Sequence, residues 1–192
     1  EVTVCTNCEL HHSRKKSVPG EGPATARIMF IGEGPGFHEN EQGRPFVGAA
    51  GKFLDQLLAQ AGVTRADVWI GNVVKCRPPE NRDPQPDELT ACNAYLERQI
   101  AAINPKIIIT LGRYSMAKFM PGVKISQVHG QMRRVGDRFV IAMFHPAAAL
   151  HHSISAWCRP SKPSSMRNAP GCNPIRSRPS CRTPSFSAPC RT

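Results

Sequence analysis

Arg27-Ile28-Met29-Phe30-Ile31-Gly32, running into Glu33-Gly34-Pro35-Gly36, is the stretch on which the fold turns. A continuous apolar run that ends in glycine is the pattern of a strand buried on both faces, as parallel strands are. Working outward, the pattern recurs in Val68-Trp69-Ile70-Gly71-Asn72-Val73-Val74, in Lys106-Ile107-Ile108-Ile109-Thr110-Leu111-Gly112 and in Phe139-Val140-Ile141-Ala142-Met143-Phe144. Helical spacing fills two of the gaps. Leu54, Leu57, Leu58 and Ala61 lead to a stop at Gly62, and Leu89, Cys92, Leu96, Ile100 and Ile103 lead to one at Asn104-Pro105. Gly136-Asp137 reads as a turn joining a short strand near Met132–Val135 to the last strand. Strands alternating with helices predict an α/β fold around a mostly parallel sheet, with ligands beyond the carboxyl ends of the strands.

The chain of 192 residues is long enough for one buried core. Its formal charge of +11 is unevenly spread: 7 of the 25 Lys and Arg, and none of the 14 acids, follow His152. Residues 153–192 also hold 7 of the 18 prolines and show no apolar period. Such a segment cannot offset an ordering entropy of about 1–2 kcal/mol per residue. The expected organisation is a folded domain over 1–152 and a disordered, basic Pro/Ser/Arg/Cys-rich tail over 153–192. No run of 18 apolar residues suggests a membrane span, and Glu1-Val2-Thr3-Val4-Cys5 lacks the features of a signal peptide, so a reducing cytoplasm is expected.

Cys5-x2-Cys8 is a chelating spacing, and Cys76 and Cys92 follow the second strand and lie on the next helix. Four thiolates from these segments suit structural zinc or a [4Fe–4S] cluster equally well, and buried Cys76 and Cys92 also have an ordinary packing role open to them. Cys158, Cys172, Cys181 and Cys190 have no such spacing. Gly32-Glu33-Gly34-Pro35-Gly36 and Gly48-Ala49-Ala50-Gly51-Lys52 fit neither a dinucleotide fingerprint nor a Walker A loop. The glycines do allow close approach of backbone to a ligand, and Phe46 could stack on a base.

Taken together these segments resemble family 4 uracil-DNA glycosylases. The resemblance runs through Cys5-Thr6-Asn7-Cys8, Gly32-Glu33-Gly34-Pro35-Gly36, Gly43-Arg44-Pro45-Phe46-Val47-Gly48, Asn72-Val73-Val74-Lys75-Cys76-Arg77-Pro78-Pro79, Asn81-Arg82, Cys92 and His145-Pro146-Ala147. It implies a three-layer α/β/α sandwich around a four-stranded, mostly parallel sheet, and a [4Fe–4S] cluster on Cys5, Cys8, Cys76 and Cys92. The implied activity is base-excision repair: uracil is flipped out of single- or double-stranded DNA and its N-glycosidic bond hydrolysed, by a monomer, leaving an abasic site.

The resemblance also distributes roles. Gly32, Gly34, Phe46, Asn72 and His145 would bind uracil, with Phe46 stacking on the ring and Asn72 reading O4 and N3–H. His145 would hydrogen-bond O2, where charge collects on the leaving base. Glu33, Glu39 and Asn81 are candidates for orienting water and stabilising the sugar cation. Arg77, Arg82, Arg113 and Lys75 would contact phosphates, and Leu150 would fill the vacated stack. Two departures stand out. Members continue past the His-Pro motif into a helix, whereas this chain turns abruptly to Ser, Pro, Arg and Cys, which reads as a frameshifted translation from about residue 153. The chain also starts close to Cys5, where a preceding helix would be missing.

Overall fold

The computed structural model describes residues 1–151. The expected tail, with its four cysteines, lies outside the described residues. In chain order the helices and strands are α1 (Leu10–Ser13), β1 (Ile28–Gly32), α2 (Phe37–Gln42), α3 (Ala49–Gln60), β2 (Val68–Asn72), α4 (Pro86–Ile103), β3 (Ile107–Leu111), α5 (Arg113–Phe119), α6 (Ile125–Val128), β4 (Met132–Val135), β5 (Arg138–Met143) and α7 (Pro146–His151). The sheet has five strands in the order β2-β1-β3-β5-β4. The expected four parallel strands are β2, β1, β3 and β5. The count of four is corrected by β4, which pairs antiparallel with β5 at the sheet edge. Its hairpin closes at Gly136, whose φ of 59° suits a residue without a β-carbon.

Alternation along the strands sends side chains into two cores. Met29, Ile31, Trp69, Ile108, Val140 and Ala142 pack with Leu96 and Ile100 of α4, Met116 of α5 and Val128 of α6. Phe30, Val68, Ile70 and Leu111 pack with Leu54 and Leu58 of α3. Helices therefore cover both faces, and every residue of β2 is buried. This makes the three layers that continuous apolar runs require. Strand order reverses beside β1, which has β2 on one side and β3 on the other, so the crevice of the sheet opens at its carboxyl end.

Candidate functional site

A cavity of about 330 Å³ occupies that crevice, and Glu33, Phe46, Asn72, Asn81 and His145 line it. Strand pairing continues past the sheet, Val73 N–H donating to Gly32 O (3.0 Å) and Val74 N–H to Glu33 O (3.1 Å), so the loops after β1 and β2 leave together. Gly32 stands behind the wall: a β-carbon there would collide with Asn72 Oδ1 and the Phe46 ring. Gly34 lines the cavity itself, where a side chain would press on Val74.

Phe46 is buried and holds a left-handed φ of 51°, a costly conformation for a residue with a side chain. Two features impose it. Gly51 of α3 passes so close to the Phe46 carbonyl that a β-carbon would collide with it. Arg65 donates to the same carbonyl and, at 3.1 Å, to Pro45 O, while Glu21 (2.7 Å) and Asp55 (2.6 Å) hold the guanidinium. The Phe46 ring lies 5.7 Å from the His145 ring, centroid to centroid and nearly parallel.

Asn72, the last residue of β2, is 2 % exposed, and its Oδ1 accepts no hydrogen bond among the described residues. Burying an amide oxygen without a partner costs roughly 1–3 kcal/mol, so this orphan marks a place prepared for a donor. His145 follows β5. Its Nδ1 accepts from Ala147 N–H (3.2 Å), which puts the proton of the neutral ring on Nε2. Burial pulls its pKa down to about 4, against the opposing influence of Glu39, so the ring is neutral at ordinary pH.

The three candidates for handling water differ sharply. Glu39 spends its carboxylate on backbone: Oε1 accepts from Val47 N–H (2.8 Å) and Gly48 N–H (2.9 Å), and Oε2 from Gly36 N–H (3.1 Å). Asn81, at a left-handed φ of 56°, accepts from Arg77 Nε at 2.8 Å. Glu33 makes no side-chain hydrogen bond among the described residues, and burial, assisted by Asp83 and opposed by Arg113, raises its pKa above the ordinary glutamate value.

Of the expected phosphate contacts, Arg82 lines the cavity and forks onto buried Glu88 (2.6 and 2.9 Å). Arg77 lies beside Phe37 as well as Asn81, and Arg113 pairs with Asp83. Leu150 is exposed on α7. Lys75 is corrected: at 1 % exposure it cannot reach a phosphate. Its ammonium donates to Asn72 O (2.8 Å) and Gln99 Oε1 (2.7 Å), and burial lowers its pKa to about 7.

Cys5, Cys8, Cys76 and Cys92 line one second, small cavity, all as free thiols. Burial raises the Cys8 pKa and pushes Cys92 up to about 11, with neighbouring thiols adding in the same direction. Arg14 donates to Cys76 Sγ at 3.2 Å. No three His, Cys, Asp or Glu side chains among the described residues are arranged to hold one metal ion.

Sequence reasoning missed Arg65, the Glu39 clamp and the close pass of Gly51. Arg65 acts on backbone 19 and 20 residues away, whereas Glu39 and Gly51 act on nearby backbone that only the closed loop brings against them, and no periodic pattern reveals either. The prolines that line the cavity (Pro35, Pro78, Pro84) stiffen the turns beside the candidate residues.

Residues 19–165 match the family described as Uracil DNA glycosylase superfamily. The chain is 48 % identical over 162 residues to the type-4 uracil-DNA glycosylase of Sulfurisphaera tokodaii, covering 79 % of this chain and 74 % of the relative. It is 47 % identical to that of Archaeoglobus fulgidus, covering 79 % and 80 %. A type-5 uracil-DNA glycosylase of Thermus thermophilus is 29 % identical, covering 74 % and 68 %.

Proposed function

The chain belongs to the uracil DNA glycosylase superfamily, among the type-4 enzymes, and from that premise we propose how its residues divide the work of cutting uracil from DNA. It excises uracil by hydrolysing the N-glycosidic bond. The orphaned Oδ1 of Asn72 carries the assignment of roles, because uracil offers N3–H where cytosine offers only a lone pair. Asn72 accepts from N3–H and donates from Nδ2 to O4. A buried pair of this kind rejects the wrong base by leaving polar groups unpaired. Phe46, pinned from behind by Arg65, stacks on the flipped ring. Flipping itself costs a few kcal/mol, least for a badly paired base.

As the bond breaks, electrons move onto uracil and collect partly at O2. Neutral His145 meets that charge with Nε2–H, a preorganised donor in a dry pocket, and its depressed pKa supports a hydrogen bond over full proton transfer. Water attacks the sugar carbon. Glu33, half-buried and uncommitted, is the carboxylate we assign to orient that water and balance the sugar cation. Glu39 then acts as a positioning residue that shapes the loop just after Phe46, and Asn81 holds Arg77 at the rim. Arg77, Arg82 and Arg113 meet phosphates, exchanging their present acidic or amide partners, and Leu150 enters the stack.

Cys5, Cys8, Cys76 and Cys92 fit a [4Fe–4S] cluster. Four thiols around one cavity, no three of them arranged to hold a single ion, suit a group in which each thiolate takes a separate iron, whereas one zinc needs all four about 2.3 Å from its centre. When bound, the cluster supplies a tie between the N-terminal segment, the loop after β2 and α4.

The test is single-turnover uracil release from a labelled oligonucleotide by anaerobically prepared protein. Release by the native chain, with Asn72→Ala slower by about 10³-fold or more, is the expected result. Equal release by both proteins would remove Asn72 from its role.

A further inference from the structure

Between the uracil reader and the cysteines lies Lys75, the largest of the fully buried side chains. An ammonium in the interior costs several kcal/mol unless hydrogen-bonded, and a methionine of similar length would fill the same space without that cost. What distinguishes Lys75 is where its donors go. Nζ donates to the backbone carbonyl of Asn72 at 2.8 Å and to Gln99 Oε1 of α4 at 2.7 Å. Gln99 Nε2 in turn donates to Pro19 O at 2.8 Å. The backbone of Lys75 is engaged as well: its N–H donates to the Cys92 sulfur and its carbonyl accepts from Val18 N–H at 2.7 Å. One residue thus touches the end of β2, α4, the segment before β1 and a thiol of the cysteine cavity.

The Asn72 carbonyl sits where the sheet ends. Fixing it fixes the plane of the Asn72 peptide and so the direction in which the side-chain amide leaves the backbone. Asn72 Oδ1 itself has no hydrogen-bond partner among the described residues to orient it. On the reading of Asn72 given above, we infer that Lys75 is a positioning residue for uracil recognition: through the Asn72 carbonyl and Gln99 it aims the Asn72 amide and ties that aim to the cysteine cavity.

The experiment is a double-mutant cycle on the full chain, using single-turnover uracil release and iron content as separate readouts. Lys75→Met is expected to keep its iron and to lose about 10- to 100-fold in rate. In an Asn72→Ala background the same substitution is expected to cost less than about 2-fold, because the group it aims is gone. A loss of equal size in both backgrounds, or no loss in the native background, would overturn the inference. Should Lys75→Met not fold, Gln99→Met is read on the same cycle, with a smaller loss of about 3- to 10-fold that again vanishes without the Asn72 amide. Native protein that releases no uracil would instead defeat the glycosylase reading itself, so the two failures are distinct.

Discussion

Asn72 and Cys76 are separated only by Val73, Val74 and Lys75, yet the cavities they serve are built on different principles. The uracil cavity is a finished object. Its polar backbone is satisfied by Glu39, its aromatic wall is locked by Arg65 and Gly51, its histidine tautomer is set by Ala147, and one acceptor is held open. The cysteine cavity is the reverse: four free thiols gathered from distant segments, two of which, Cys8 and Cys92, are made harder to ionise by burial. The first site stores its energy in protein–protein contacts and waits for a substrate. The second has its donors gathered and, on the proposed [4Fe–4S] reading, takes a cationic partner that converts thiols to thiolates. On the proposed reading, preorganisation serves catalysis in the one, and tying through the cluster serves the fold in the other.

That contrast predicts opposite consequences for two neighbouring substitutions. Cys92→Ser is expected to release iron and to lower unfolding free energy by about 4 kcal/mol, read by denaturant titration with iron analysis. Asn72→Ala removes a buried oxygen that has no partner among the described residues, so its stability is expected to stay within about 1 kcal/mol of native while its activity collapses. Equal stability losses in the two variants would erase the distinction. A smaller effect sharpens it. Arg65→Met frees the Phe46 carbonyl, so the loop can relax from its left-handed conformation. The expected result is a loss of roughly 2 kcal/mol in stability and a rise of about 10-fold in KM, with iron content unchanged. A variant that lost iron instead would show that the two cavities are not built separately.

The strands and the two long helices were legible because burial on both faces leaves unbroken apolar runs, and helical burial leaves a 3.6-residue stripe. Leu54 and Leu58 of α3, and Cys92, Leu96 and Ile100 of α4, are buried as that stripe requires. The fifth strand was announced only by its turn at Gly136, since an exposed edge such as Met132-Arg133-Arg134 carries no burial pattern. Short α2 and α5 went unread because about two turns are too few for a helical stripe to repeat. Asn72, Phe46 and His145 were legible as residues, since they stand just past strands or in a glycine-rich loop, but their roles came from the resemblance. Lys75 was misread because a lysine beside a cysteine and an arginine looks like surface, and only the fold supplies the Asn72 carbonyl and Gln99 that let it be buried. The backbone contacts of Glu39 were not legible for a related reason: the three N–H groups that engage it come from Gly36, Val47 and Gly48, which meet only when the loop closes.

The central claim is that the unpartnered Asn72 Oδ1 takes the N3–H of uracil, and inhibition by the free base tests it most directly. Uracil is expected to inhibit excision, and 3-methyluracil, which lacks that hydrogen, to inhibit at least about 100-fold more weakly. Equal inhibition by the two bases would contradict the account.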